Sequence, residues 1–259
     1  VGSEMCIRDR YKVERFSIDE CFVDMTEFLN GRRLIDVAYE ISKRVKEELK
    51  FTVNIGVAHN KLLAKMASDF QKPDRVHTLY EKEIPRKMWT LPISELFMVG
   101  RRTLPKLYNM NIKTIEDLAK VDKNLLIKKF GKFGKTMWEY ANGIDESEVV
   151  YTYQKPKCVG NSTTVSQDIN DIEKIEEVLL ALTEHTTYRL RKIKMFCNVV
   201  SVQLRTSEFK NYSHQRKLDF STNSTKEIFN AAKQLVRQLY KGEPCLLYTS
   251  DAADDRISV

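Results

Sequence analysis

Residues 14–24 read ERFSIDECFVD and set two adjacent carboxylates, Asp19 and Glu20, among apolar, strand-forming residues. Unpaired acids are rarely buried, so such a pair implies a counter-charge, most simply a divalent cation. Mg²⁺ prefers one or two carboxylates together with substrate phosphates, as in two-metal phosphoryl transfer. Strict strand alternation would point the two side chains to opposite faces, so we expect a turn or bulge here. Taken alone, this segment is more readily interpreted as a solvated acidic strand end or hairpin turn.

A second motif occupies residues 51–73, which read FTVNIGVAHNKLLAKMASDFQKP. The β-branched residues of 51–58 predict a strand, and the apolar spacing of 60–70 predicts a helix. Lys72 precedes Pro73, which disfavours continuation of the helix. A lysine held at such a bend near an acidic pair can meet a triphosphate as a point charge. The alternative is a solvated lysine beside an ordinary amphipathic helix.

Together, Ser17-Ile18-Asp19-Glu20 and the run from Gly56 to Pro73 resemble the palm of the Y-family translesion DNA polymerases. This is the group of DNA polymerase IV and the UmuC-like enzymes, and the resemblance covers about residues 11–244. It implies template-directed DNA synthesis past damaged bases, with primer–template DNA and deoxynucleoside triphosphates as partners. It also implies that Asp19 and Glu20 are catalytic, metal-binding carboxylates for two Mg²⁺ ions, and that Lys72 contacts the nucleotide's triphosphate.

Short helices are predicted over residues 81–150, including one that opens at 99–103 and one near 136–142. Between these two helices in the sequence, Thr114 and Asp117 predict a capping box at the start of another helix. The glycine-bearing turns at 99–103 and 130–135 resemble the helix-hairpin-helix elements of the polymerase thumb, although two ordinary helix–helix turns are the alternative. Met98 stands where the family has a glycine, so we expect the first hairpin to be distorted or to bind phosphate less well. The resemblance implies contacts with DNA phosphates from Gly100, Arg101, Arg102, Thr103, Gly131 and Gly134.

Beyond a polar linker at 151–156, residues 157–244 predict the order strand–helix–strand–strand–helix. A capping box at Ser224–Glu227 is predicted to open the last helix. This order resembles the little-finger domain of the same family, and it implies backbone contacts with DNA from Asn161, Ser162, Thr163 and Thr164. For any one of these residues, a solvated edge strand is the alternative. The predicted fold class is α+β and multidomain, with part of an α/β palm (11–80), an all-α thumb (81–150) and an α+β little finger.

The two ends, residues 1–10 and 245–259, fit no periodic pattern and resemble translated sequencing-adapter read-through. We interpret them as non-native scars; disordered natural tails are the alternative. A last strand of the little finger, expected after Pro244, would then be cut off. The family's first strand, with a further catalytic aspartate, and its fingers do not occur before Tyr11. The chain is therefore expected to be a C-terminal fragment that is inactive alone.

The charge balance fits a nucleic-acid partner. The chain has 43 Lys and Arg residues and 36 Asp and Glu residues, which gives a net charge of +7. The basic excess lies outside residues 11–80, as expected for a surface that binds a phosphate backbone. No apolar run is long enough to span a membrane. The five cysteines lack metal-ligand spacing, which favours a reducing, cytoplasmic location. The resemblance further implies a monomer, and the replication sliding clamp is a candidate partner.

Two other functions remain open from the sequence. A non-catalytic DNA-binding protein would use the thumb and little finger alone. A nucleotidyl cyclase would share the palm-like sheet and the two metals, but the hairpins and the basic C-terminal half count against it.

Overall fold

The structure, a computed structural model, describes residues 12–152, 155–242 and 245–253, the last of these as backbone only. The chain divides after Thr152 into two compact units, and the division falls within the segment expected to be a linker. Helices and strands both contribute, so the fold is α+β, as predicted. Within the described ranges, no helix combines the length and the apolar character that crossing a membrane requires.

The first unit begins with a β-hairpin and a small α/β layer. Strands β1 and β2 pair antiparallel, and strands β3 and β4 pair parallel. The predicted strand over 51–58 shortens to three residues because its partner β4 offers only three pairing positions. The elements are β1 (Lys12–Arg15), β2 (Cys21–Asp24), α1 (Leu34–Leu49), β3 (Ile55–Val57), α2 (Lys61–Asp69) and β4 (Val76–Thr78).

Short helices complete the first unit and share a core with α2. From α2, Leu62, Leu63 and Met66 are buried in this core. The predicted capping box is confirmed: Asp117 N donates to Thr114 Oγ1 (3.1 Å), and Thr114 N donates to the Asp117 carboxylate (2.8 Å). The helices are α3 (Ile84–Lys87), α4 (Leu104–Tyr108), α5 (Ile115–Lys120), α6 (Lys123–Phe130) and α7 (Lys132–Ala141), with 3-10 turns at Glu81–Glu83 and Ile93–Glu95.

The second unit is a four-stranded antiparallel sheet with two helices packed on one face. Between the helices, the buried Glu176 carboxylate lies 2.6 Å from both Lys233 Nζ and Arg237 Nε. The strand order is β5-β8-β6-β7. The elements are β5 (Cys158–Ile169), α8 (Ile172–Lys192), β6 (Cys197–Thr206), β7 (Asn211–Thr222), α9 (Thr225–Leu239) and β8 (Cys245–Ala253).

The expectation that the last strand is cut off is wrong. The backbone of β8 lies inside the sheet and pairs with β5 on one side and with β6 on the other. Sheet pairing uses main-chain N–H and C=O groups, which a segment without proline supplies whatever its side chains. A strand can therefore form here without the side-chain alternation that sequence analysis needs. The non-native origin of this segment stays a prediction.

The capping box predicted at Ser224 does not form. Ser224 occupies the N-cap position of α9, but its side chain makes no capping hydrogen bond. The Glu227 carboxylate instead accepts from the Thr222 hydroxyl, and that hydroxyl accepts from Ser224 N (3.0 Å). Thr222, two residues before the N-cap, therefore takes the partner that the motif assigned to Ser224.

Candidate functional site

Asp19 and Glu20 lie in the turn that joins β1 to β2, so the expected turn is confirmed. Phe16 N and Ser17 N both donate to the Glu20 carbonyl, at 3.0 and 3.1 Å. This turn takes the two acids out of strand alternation and lets both serve one side of the hairpin.

The Asp19 carboxylate is held by a local hydrogen bond and by nearby lysines. Ser17 Oγ donates to Asp19 Oδ1 (2.6 Å), and this bond is the largest cause that lowers the pKa of Asp19. The positive charges of Lys65 and Lys72 lower the pKa of Asp19 further. Asp19 is therefore ionised at neutral pH.

Glu20 reaches helix α2 through a lysine that the sequence analysis did not single out. Lys65 Nζ contacts Glu20 Oε1 and lies 3.2 Å from Asp69 Oδ2. Burial lowers the pKa of Lys65, but its hydrogen bonds to Glu20 and Asp69 outweigh burial, so the net shift is upward. Burial likewise raises the pKa of Asp69, and its bonds to Lys72 and Lys65 outweigh that effect and lower it.

Lys72 completes this group of charged residues by pairing with Asp69. Its Nζ lies 2.8 Å from Asp69 Oδ1, and a cis peptide bond follows it at Lys72–Pro73. Its side chain is 55% exposed, so the ammonium is accessible to a ligand. The structure thus brings the three predicted residues into one acid–lysine cluster, which we define as Asp19, Glu20, Lys65, Asp69 and Lys72.

Lys65 and Asp69 carried one signal in the sequence. They are four residues apart on α2, a spacing at which a lysine and an acid meet on the helix surface. Lys72 follows Asp69 by three residues and forms the next pair. Such spacing is common on solvated helices, so it did not stand out from the sequence alone.

The donor set of the cluster fits Mg²⁺. Asp19 and Glu20 offer only carboxylate oxygens, the hard ligands that Mg²⁺ prefers, and this ion takes its other ligands from water and substrate phosphates. No group of three or more His, Cys, Asp or Glu side chains is placed to hold a metal within the described ranges. The residues therefore suit a substrate-completed magnesium site and do not suit an all-protein cage.

A second ion pair ties the same hairpin to α2. Lys61 Nζ lies 2.9 Å from Glu14 Oε2, with side chains 16% and 17% exposed. Val150 N also donates to this carboxylate oxygen (2.8 Å). Glu14 therefore anchors the hairpin one helical turn away from the acid–lysine cluster.

The two predicted DNA-contacting turns of the first unit differ in exposure. Arg101 and Arg102 are exposed and Thr103 is half-buried; all three precede α4, in a turn closed by Thr103 N donating to Gly100 O (2.9 Å). Gly100 and Gly131 have open space where a Cβ would lie, so their backbones are approachable.

The prediction that Gly134 contacts DNA is wrong for this structure. Gly134 is buried in α7, and a Cβ there would lie 2.1 Å from the Leu126 carbonyl oxygen. Its small size serves the close packing of α7 against α6.

Met98 explains how the first turn forms without the usual glycine. It adopts the left-handed conformation itself, with φ of +73°, and its side chain is largely exposed. The expected distortion is therefore confined to Met98, where the left-handed conformation costs a residue with a Cβ about 1–2 kcal/mol.

The four predicted contacts on β5 do not share a face. Ser162 and Thr164 are exposed, whereas Asn161 and Thr163 are half-buried on the side of Val159, toward the helices. Four consecutive strand residues must alternate in this way, so only Ser162 and Thr164 point away from the helices. The contacts of all four residues with DNA stay a prediction.

The face of β6 and β7 that lies away from the helices carries polar and basic side chains that the sequence analysis missed. Arg205 Nε and Gln203 Nε2 both donate to Asn211 Oδ1, each at 3.1 Å. Lys217 pairs in register with Val199 on the same face. The signal was the alternation of β6, whose other residues, such as Val202 and Leu204, are buried.

Three family models match the chain. Residues 4–69 match the impB/mucB/samB family, residues 94–145 match the DNA polymerase-iota thumb domain, and residues 156–250 match the impB/mucB/samB family C-terminal domain. Together they cover both structural units.

Curated relatives agree. The chain is 47% identical over 235 residues to DNA polymerase IV of Clostridium acetobutylicum, covering 91% of this chain and 59% of that protein. It is 36% identical over 230 residues to DNA polymerase IV of Acetivibrio thermocellus, covering 86% and 57%. The chain thus spans less than two thirds of the length of these relatives.

Solved structures share the fold. A Y-family DNA polymerase chimera of Dbh and Dpo4 matches 99% of this chain and 75% of its own, with a TM-score of 0.84 and 23% identity. DinB from Sulfolobus solfataricus matches 99% of this chain and 76% of its own, with a TM-score of 0.55 and 23% identity.

The motifs at 17–20 and 56–73, the three family matches and the curated relatives converge on one assignment: the chain belongs to the Y family of DNA polymerases.

Proposed function

We propose that the protein containing this chain is a DNA-directed DNA polymerase that performs translesion synthesis. It joins a primer 3′-hydroxyl to the α-phosphate of a deoxynucleoside triphosphate and releases pyrophosphate. The acid–lysine cluster carries the proposal, because ion pairs join Glu20, Lys65, Asp69 and the accessible ammonium of Lys72, and the charges of Lys65 and Lys72 act on the neighbouring Asp19. Residues 11–80 contribute part of the palm, 81–150 the thumb and 157–244 the little finger.

Within this proposal, Asp19 and Glu20 hold the magnesium ions. When bound, these ions stabilise the charge that develops on the attacking and leaving oxygens. Lys72 is the exposed end of the cluster and binds the triphosphate as a point charge. Most of the rate enhancement then comes from alignment and charge stabilisation.

Primer–template DNA is the proposed macromolecular partner. The turn at Gly100, Arg101 and Arg102 offers backbone N–H groups and two exposed guanidinium groups to phosphates. In the second unit, Ser162 and Thr164 on β5 and the polar face of β6 and β7 offer further contacts. A related solved structure is an insertion ternary complex of Dbh DNA polymerase, which is consistent with this partner.

Primer extension by the full-length protein tests the proposal. Asp19→Asn removes the charge of one cation ligand, and we expect extension to slow by about 10²–10³-fold, the loss typical of a removed charge-stabilising group. Asp36→Asn is the matched control, because Asp36 is also exposed, and a side-chain hydrogen bond likewise lowers its pKa, but it lies on α1. Equal rates for the Asp19 and Asp36 variants would reject the site.

A second function is favoured by one observation: the exposed Arg101 and Arg102 lie together in one turn and could bind DNA phosphates without a metal. A chain with this site could bind DNA without extending it, through thumb and little finger. Its affinity for primer–template would fall steeply with salt and depend little on sequence. Salt-independent binding of a labelled duplex would reject this alternative.

A further inference from the structure

A continuous chain of alternating charges joins the proposed metal carboxylate to the proposed triphosphate lysine. Lys65 Nζ contacts Glu20 and lies 3.2 Å from one oxygen of Asp69. The other oxygen of Asp69 lies 2.8 Å from Lys72 Nζ. Each link is direct, so the position of each end depends on Lys65 and Asp69.

The burial of Lys65 needs a reason. Its side chain is only 14% exposed, and a buried ammonium is unfavourable unless it is well paired. Lys61, one turn earlier on α2, already ties the hairpin to the helix through Glu14 with nearly the same burial. A second lysine is not required for that attachment, and Lys65 meets the hairpin at Glu20, the acid next to Asp19.

We propose that Lys65 and Asp69 are positioning residues of the nucleotidyl-transfer site. Lys65 fixes Glu20, and Asp69 fixes Lys72, so the carboxylate and the ammonium are in place before the nucleotide arrives. This inference rests on the proposed function of Asp19, Glu20 and Lys72. Preorganisation of this kind matters because small misplacements of a reacting group cost large factors in rate.

Asp69→Ala separates positioning from binding. The substitution removes a negative charge beside the triphosphate, so the KM for nucleotide stays the same or falls. Lys72 loses its fixed partner, so kcat falls about tenfold, less than the ~10²-fold that a 1 Å misplacement can cost. Asp69→Glu restores part of kcat. Lys72→Met, in contrast, removes the binding charge and raises KM about tenfold.

Glu116→Ala is the matched control. Glu116 is 44% exposed and pairs with Lys120 at spacing i,i+4, whereas Asp69 is 41% exposed and pairs with Lys65 at the same spacing. The control should leave kcat and KM within twofold of wild type. Because both acids are partly exposed, both variants should fold, and thermal unfolding checks this.

Nucleotide binding without metal gives a readout apart from activity. The affinity of the full-length protein for fluorescent dATP in EDTA should be unchanged or tighter for Asp69→Ala and several-fold weaker for Lys72→Met.

If Lys72→Met weakens binding but Asp69→Ala leaves kcat within twofold, the positioning role is overturned while the proposed function stands. If Asp69→Ala raises KM as much as Lys72→Met does, positioning is overturned as well. If Lys72→Met changes neither KM nor affinity, the role proposed for Lys72 fails, and the inference fails with it.

Discussion

At the scale of single residues, Met98 holds a conformation that costs a side-chain-bearing residue free energy. Its φ of +73° suits glycine, which has no Cβ to clash. We expect Met98→Gly to raise the free energy of unfolding by about 0.5–1 kcal/mol, since the gain in the native state exceeds the extra freedom of the unfolded chain. Lys106→Gly, in the exposed face of α4, should lower stability by up to about 1 kcal/mol. Urea denaturation measures the free energy of unfolding of both variants. A lower value for Met98→Gly than for wild type would contradict the inference that Met98 is strained.

Glu176 gives a residue-scale prediction about pH. Burial raises its pKa, but the bonds from Arg237 and Lys233 outweigh burial, so the net pKa is lowered. A carboxyl with a depressed folded pKa stabilises the protein above its unfolded pKa of about 4.3, and the stabilisation is lost as pH falls through the folded pKa. We expect Glu176→Gln to cost about 1–3 kcal/mol at pH 7 and less near pH 3. The exposed neighbour Glu177→Gln should show little effect at either pH. Denaturation at the two pH values checks this, and a pH-independent cost for Glu176→Gln would contradict it.

At the scale of elements, Gly56 lets β3 lie directly on α2, the helix that carries Lys65 and Asp69. A Cβ at this position would lie 1.8 Å from the Ala64 carbonyl oxygen, which is backbone and cannot swing aside. We expect Gly56→Ala to destabilise the first unit by at least about 2 kcal/mol. Gly100→Ala, which meets nothing within 4 Å, should change stability by less than about 0.5 kcal/mol. Thermal melts compare the two variants; equal midpoints would show that β3 does not need this close approach.

The elements also mark where sequence reasoning succeeds and fails. Helices α2 and α8 were predictable because one apolar stripe fixes both the period and the buried side. Strand β8 was not predictable, because its main-chain pairing does not require an alternating pattern of apolar and polar side chains. Asp19, Glu20 and Lys72 were assigned roles through their motifs, whereas Lys65 and Asp69 lie within the second motif but had no assigned role until their partners were known.

At the scale of the whole molecule, the net charge of +7 and the exposed basic residues favour a phosphate backbone. Arg101 and Arg102 sit together in one exposed turn of the first unit. We expect Arg101→Ala with Arg102→Ala to weaken duplex binding and to reduce the slope of log affinity against log salt by about one to two. Fluorescence anisotropy at several salt concentrations measures the slope. Lys43→Ala with Lys46→Ala, two exposed lysines on α1, removes the same charge and serves as control; an equal change in slope would contradict a local DNA contact.

The central claim is that the acid–lysine cluster is the site of nucleotidyl transfer. Single-nucleotide incorporation into a primer under single-turnover conditions, with the full-length protein and its Glu20→Gln variant, tests it most directly. We predict that the variant binds primer–template as tightly as wild type but incorporates the nucleotide about 10²–10³-fold more slowly. Incorporation by Glu20→Gln within twofold of wild type would contradict the claim.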